Sequence, residues 1–220
     1  MHYKFIIMIN RYFVITLISI GLINPGFSRA DAYSDMVAAV KTGNIPVVKA
    51  LLAKGVEADL ADPIGSTLLI TAADEGQLQT VKVLLEAKAK INARNQFGET
   101  ALMMAAIRGH RAVVEYLISR GADVNQDGWT ALMFAAVKGK ADIARLLIAK
   151  GAEVDAVSDN GTTALMLAAK EGNLDTVLVL LEHGASVNLR SQTDATALRL
   201  ALEGDRKDVA TVLLRAGAEQ

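Results

Sequence analysis

Residues 98–125 read GETALMMAAIRGHRAVVEYLISRGADVN, and four further stretches of the chain are variants of the same phrase. They begin at Gly65, Gly128, Gly161 and Asp194. Successive starts lie 33 residues apart, except between Gly98 and Gly128, where the interval is 30. A unit this short has an apolar face and no means of burying it alone, so it is stable only against its neighbours. The sequence therefore reads as a stack of like units with one interior running through them all. Binding is confined to the faces that stacking leaves open.

Two helices are legible within each unit. Thr67, Thr100, Thr130, Thr163 and Thr196 precede a small, Ala-rich segment, where a side-chain oxygen caps a first helix. The leucine two positions on (Leu69, Leu102, Leu132, Leu165, Leu198) is assigned to the core. Alanine pairs such as Ala105-Ala106 and Ala135-Ala136 let two helices approach closely. Gly76, Gly109, Gly139 and Gly172 supply a sharp turn. Val-Leu-Leu or Leu-Leu-Ile runs then form a second helix that closes at Gly121, Gly151 or Gly184. Val-Asn or its equivalent opens a hairpin-like turn, or finger, into the next unit.

This pattern resembles the ankyrin-repeat family over nearly everything after residue 31. The resemblance implies an all-α solenoid of stacked helix-turn-helix units joined by short hairpin-like loops. Six repeats are expected: an atypical N-terminal cap over 31–61, then 62–94, 95–125, 126–157 and 158–190, and a more polar C-terminal cap over 191–220. In the first cap the helices are placed at Ala32–Val40 and Ile45–Lys54, with Pro46 in the first turn of the second, where its missing N–H is harmless. The chain departs from the family pattern in one respect. Where ankyrin units usually read Thr-Pro-Leu-His, these read Thr-Ala-Leu-Met three times, which puts Met103, Met133 and Met166 into apolar packing.

The first thirty residues stand outside the array. Lys4 and Arg11 are followed by an apolar run over Tyr12–Ile23, a Pro25-Gly26 break and a Ser28-Arg29-Ala30 junction. That order matches a cleaved export signal with a mature N-terminus at Asp31, whether translation starts at Met1 or at Met8. The alternative is an uncleaved inner-membrane tether, but the run is shorter than the ~20 apolar residues that a span needs. A periplasmic or secreted protein with no stable membrane anchor is expected. The chain has no cysteine, which excludes disulfides, thiolate metal sites, a cysteine nucleophile and a lipid-modified signal junction. Residues 1–30 hold Lys4, Arg11, Arg29 and no carboxylate, so the remainder carries 20 basic against 24 acidic residues, a net −4. That sign, without a basic stripe in the array, argues against nucleic acid.

Chemistry is sparse. His110 and His183 are the histidines beyond the signal, and neither has a second ligand at metal-binding spacing. Carboxylate pairs such as Asp74-Glu75 fall on inter-helix turns and read as solvated, and no nucleophile elbow is present. No enzyme, cofactor or metal site is expected, and the array is expected to be a monomer that binds a protein. In ankyrin arrays the finger tips and the exposed end of the inner helix form a concave binding face. Carried onto this chain, that implies Ile64, Ser66 and Glu75 from the second unit and Gln96, Phe97, Glu99 and Arg108 from the third. Asp127, Trp129 and Lys138 follow from the fourth, and Asn160, Thr162 and Lys170 from the fifth. Trp129, beside the shortened finger and flanked by Phe97 and Ile64, is expected to be the centre of the site and to make no core contact; packing against neighbouring fingers is the alternative for Trp129 and Phe97. Phe134, in the middle of a helix, is assigned to the core. The resemblance extends to bacterial periplasmic ankyrin proteins and implies support of a stress-response enzyme such as a catalase. An immunity protein that inhibits a periplasm-directed toxin enzyme is the alternative.

Overall fold

The computed structural model describes residues 29–219. The expected export signal lies outside them, apart from its last two residues. Twelve helices follow in chain order: α1 (Arg29–Lys41), α2 (Ile45–Ala53), α3 (Leu68–Asp74), α4 (Leu78–Glu86), α5 (Ala101–Arg108), α6 (Arg111–Ser119), α7 (Ala131–Val137), α8 (Ala141–Ala149), α9 (Ala164–Glu171), α10 (Leu174–Glu182), α11 (Ala197–Glu203) and α12 (Lys207–Arg215). The odd-numbered helices pack on one another in one layer and the even-numbered helices in a second. No strand forms among the described residues; a lone antiparallel bridge joins Ala61 to Thr67 in the first finger. α1 starts earlier than Ala32, so the Ala30–Asp31 bond falls within its first turn.

Each inner helix from α3 onward starts in the same way. The Oγ1 of Thr67, Thr100, Thr130, Thr163 and Thr196 accepts the backbone N–H of the third residue on, at 3.2–3.3 Å, which satisfies one of the orphan donors of the first turn. Asn44 caps α2, and Pro46 occupies its first turn. Leu69, Leu102, Leu132, Leu165 and Leu198 are buried, as are the alanine pairs. Met103, Met133 and Met166 are at most 2% exposed. In the last described unit the same place holds Arg199. It is exposed and pairs with Glu203 at 2.8 Å.

Two sets of side-chain-to-backbone bonds tie unit to unit. In the first, Asp59, Asn92, Asn125, Asp155 and Asn188 each accept, through a side-chain oxygen, a backbone N–H of the following unit: Lys90, Asp123, Glu153, Ser186 and Glu219, at 2.7–2.9 Å. In the second, the residue before an outer helix reaches back to the carbonyl end of the previous inner helix. Gln77 donates to Lys41 O, His110 Nε2–H to Asp74 O at 2.9 Å, Asn173 Nδ2 to Ala136 O and Val137 O, and Arg206 Nε to Lys170 O. Such carbonyls of a last turn have no partner within their own helix, although Ala136 O also accepts the Gly139 N–H at 3.2 Å. His110 is thus a fastener, as expected of a structural histidine. His183 is local, its Nδ1–H donating to Val179 O at 2.8 Å.

Among the described residues, three non-glycine residues have positive φ: Lys88 (67°), Asp194 (60°) and Asp205 (53°). Each stands where the equivalent residues of the other units are glycines of positive φ, for Lys88 Gly55, Gly121, Gly151, Gly184 and Gly217. A lysine held there carries a left-handed penalty of roughly 1–2 kcal/mol, partly offset by the lower entropy of its unfolded chain relative to glycine. Lys88→Gly should therefore raise stability by about 0.5–1 kcal/mol, read as a higher urea midpoint. Leu132→Ala, at a side chain 1% exposed, should lower it by about 2–5 kcal/mol, and an unchanged midpoint would show that the core does not depend on that side chain.

Candidate functional site

The open side of the inner layer follows from helix geometry. Counting from each capping threonine, the positions four, seven and eight residues on share one helical face, and the residue just before the threonine lies at the finger. The finger row is Ser66, Glu99, Trp129, Thr162 and Ala195; the next row is Thr71, Met104, Phe134, Leu167 and Leu200, all half-buried. Asp74, Ile107, Val137, Lys170 and Glu203 follow, and then Glu75, Arg108, Lys138 and Glu171. The face is therefore carboxylate-rich over the first units and apolar at its centre. Cations enter from the third unit with Arg108 and continue through Lys138 and Lys170.

Over the first three units this face closes into a groove of about 390 Å³. Tyr33, Val37 and Lys41 of α1 form one wall, Leu60, Asp62 and Ser66 the finger side, and Glu99, Met104 and Arg108 the other wall, with Thr71, Asp74 and Glu75 between. Val37, Leu60 and Met104 are half-buried apolar residues that pack on the core. Around them stand four carboxylates. Asp62 Oδ1 accepts the N–H groups of Ile64 and Ser66 at 3.0 and 2.8 Å. Glu99 Oε2 accepts from Asn95 Nδ2 at 2.7 Å. Asp74 is held by Arg108 through two bonds, 2.7 Å from Nε and 3.0 Å from an Nη. Glu75 is exposed and makes no ion pair among the described residues. The bond to Asp74 and its charge hold the Arg108 guanidinium above its ordinary range. Burial, reinforced by the Asp62 charge, pushes the Tyr33 phenol up.

Trp129 is 43% exposed, and its ring meets Phe134 edge-on at 5.4 Å between centroids. This corrects two expectations. Phe134 is a half-buried floor residue of the concave face, because it stands one position past the buried methionine. Trp129 has a core-side contact after all, since Phe134 packs against the core beneath it. The shortened finger also breaks the row of fingers. Gln96 N–H donates to Ile64 O at 2.9 Å, and Gln192 N–H to Asn160 O at 3.0 Å, with its side chain on Asp159 O at 2.7 Å. Between the third and fourth fingers the link is the Arg94 guanidinium on Asp127 O at 3.3 Å. No backbone bond joins the fourth finger to the fifth among the described residues.

Of the residues singled out from sequence, Ser66, Glu75, Glu99 and Arg108 come together in the groove. Trp129 lies farther along the same face, with Lys138 on its own unit and Thr162 and Lys170 on the next. Ile64 and Phe97, 39% and 67% exposed, stand at finger tips with exposed Gln96, Asp127 and Asn160. Tyr33, Lys41 and Asp62 were not anticipated at the groove. The first unit diverges too far from the others for its register to be carried over from them. Asp74, read in sequence as solvated, is bridged and largely covered.

No helix among the described residues is long and apolar enough to cross a membrane, and no group of three or more His, Cys, Asp or Glu among them is placed to hold a metal ion. Paired helices stacked in two layers, with one concave face left open, define a helical repeat solenoid. The family model for ankyrin repeats (3 copies) matches residues 10–95, 36–127, 87–158 and 151–220, and the chain belongs to the ankyrin-repeat family. Such arrays are generally protein–protein interaction modules and typically non-enzymatic scaffolds. No individual curated protein matches the chain.

Trp129 is the one tryptophan of the chain and lies on the candidate face, so its emission reports occupancy there. Its fluorescence should move to shorter wavelength when a partner covers it. Trp129→Ala should cost about 0.5–1.5 kcal/mol for the lost aromatic pair, measured by urea denaturation, and leave the helical circular-dichroism spectrum unchanged.

Proposed function

We propose that this chain is an exported scaffold that holds one protein partner on its concave face, acting in the periplasm beside a stress-response enzyme. The observation that carries the binding part is the half-exposed Trp129–Phe134 pair. The fold places no large aromatic at the equivalent positions of other units, where Ser66, Glu99, Thr162 and Ala195 stand before the cap. An aromatic presented in this way is the kind of anchor that dominates interface energies. Export rests on the charged, apolar and small-residue order of residues 1–30.

Affinity capture from a periplasmic extract, with mass spectrometry of the bound proteins, identifies the partner. N-terminal sequencing of the chain from the same fraction tests for a start at Asp31. Titration of the captured protein should then show Trp129→Ala weakening binding by about 2 kcal/mol or more. Unchanged affinity in a folded variant would place the site elsewhere. Full-length chain recovered only in membranes would overturn export, and a captured toxin hydrolase would assign an inhibitor's role in place of support.

A further inference from the structure

The units from the second onward serve as an internal comparison that separates what the fold needs from what this surface adds. Where Asp74 and Glu75 stand in the second unit, the third has Ile107 and Arg108, the fourth Val137 and Lys138, the fifth Lys170 and Glu171, and the last Glu203 and Gly204, so a carboxylate is tolerated at these places but not required. Where Glu99 stands before its capping threonine, the next units have Trp129 and Thr162. Packing therefore demands no carboxylate at any of these three places, yet all three open on one groove. Asp62 adds a fourth charge there. Against these four carboxylates stand Lys41 and Arg108, and Arg108 is already committed to Asp74. The half-buried part of the lining, Val37, Leu60 and Met104, is an apolar floor to which each side of the groove contributes one residue.

We infer that the groove takes a basic side chain of the partner, a lysine or arginine next to an apolar residue. The cationic head lies among Asp62, Glu75 and Glu99, while its alkyl stem and the apolar neighbour cover Val37, Leu60 and Met104. Long basic side chains carry this dual character, a charged tip on an apolar stem. A guanidinium or ammonium meets acceptors with capacity left here: among the described residues Glu75 makes no ion pair, its charge acting only at longer range on Arg108, and Asp62 and Glu99 use one carboxylate oxygen each in the bonds described. Burial beside an apolar floor strengthens such a pairing relative to open surface. This inference rests on the reading of the concave face as a protein-binding surface.

The test uses a phage-displayed dodecapeptide library selected on the immobilised intact chain, followed by titration of the enriched peptides. Glu75→Lys reverses one groove charge at an exposed position. Glu171→Lys makes the same change at the equivalent position of the fifth unit, outside the groove, and circular dichroism confirms the fold of both. The enriched peptides should carry lysine or arginine beside an apolar residue. They should lose about tenfold or more in affinity on Glu75→Lys and less than about twofold on Glu171→Lys. Enrichment without a basic residue, or equal losses on the two variants, would overturn the groove assignment. Peptides weakened by Trp129→Ala and indifferent to Glu75→Lys would overturn it too, yet leave the concave-face reading standing. Indifference to both variants, or no enrichment at all, would count against both.

Discussion

A single side-chain oxygen on a backbone N–H, made five times, sets the geometry of this molecule. Asp59, Asn92, Asn125, Asp155 and Asn188 each accept an amide proton from the unit that follows. The bond fixes the register between units where no sheet or disulfide does so. Hydrophobic burial supplies the driving force, but it is non-directional and would tolerate a slip or rotation between helix pairs. A directed bond to a backbone group does not, because a unit out of register leaves an unsatisfied donor. The fasteners at the other end of the helices, Gln77, His110, Asn173 and Arg206, restrain the second edge of four of the five interfaces. With both edges held, equivalent residues of successive units fall into rows, and those rows are the concave face.

The rows are regular in backbone and irregular in chemistry. Met104, Phe134 and Leu167 occupy one geometric position with three side-chain shapes, and Asp74, Ile107, Val137 and Lys170 another with acidic, aliphatic and basic characters. This division suits a solenoid, in which the core-facing positions must repeat and the open ones need not. The finger row shows the same freedom in backbone. Losing three residues before Thr130 removes the amide bonds that join other fingers but leaves α7 capped and buried like its neighbours. The shortened loop thus alters the surface at Trp129 without cost to the interior.

The first and last described units solve a different problem, since among the described residues each has a neighbouring unit on one side alone. At the C-terminal end the buried methionine position becomes Arg199, and Leu202, in the place of buried Ala169, is 53% exposed. At the N-terminal end α1 is longer than the other inner helices. Its residues Tyr33 and Lys41 form a wall of the groove, so the capping unit also shapes the surface.

The all-helical stacked fold, its capping threonines and its buried leucines, alanines and methionines were legible in the sequence. The reason is that they obey period: a residue type recurring at one place in successive units must face the same neighbour. The concave face was legible only as a list of positions, because exposure follows from helical spacing but contact does not. The sequence could not show that Asp74 would be bridged by Arg108, 34 residues away, or that Trp129 would turn onto Phe134. Nor could it bring Tyr33 and Lys41 of an atypical first unit to the same groove as Glu99. The aromatic pair is a side-chain choice within one unit; the others are contacts between units, set by the rotation of one helix pair on the next. That rotation is decided by packing and by side-chain bonds to backbone groups, and only the tertiary structure contains it.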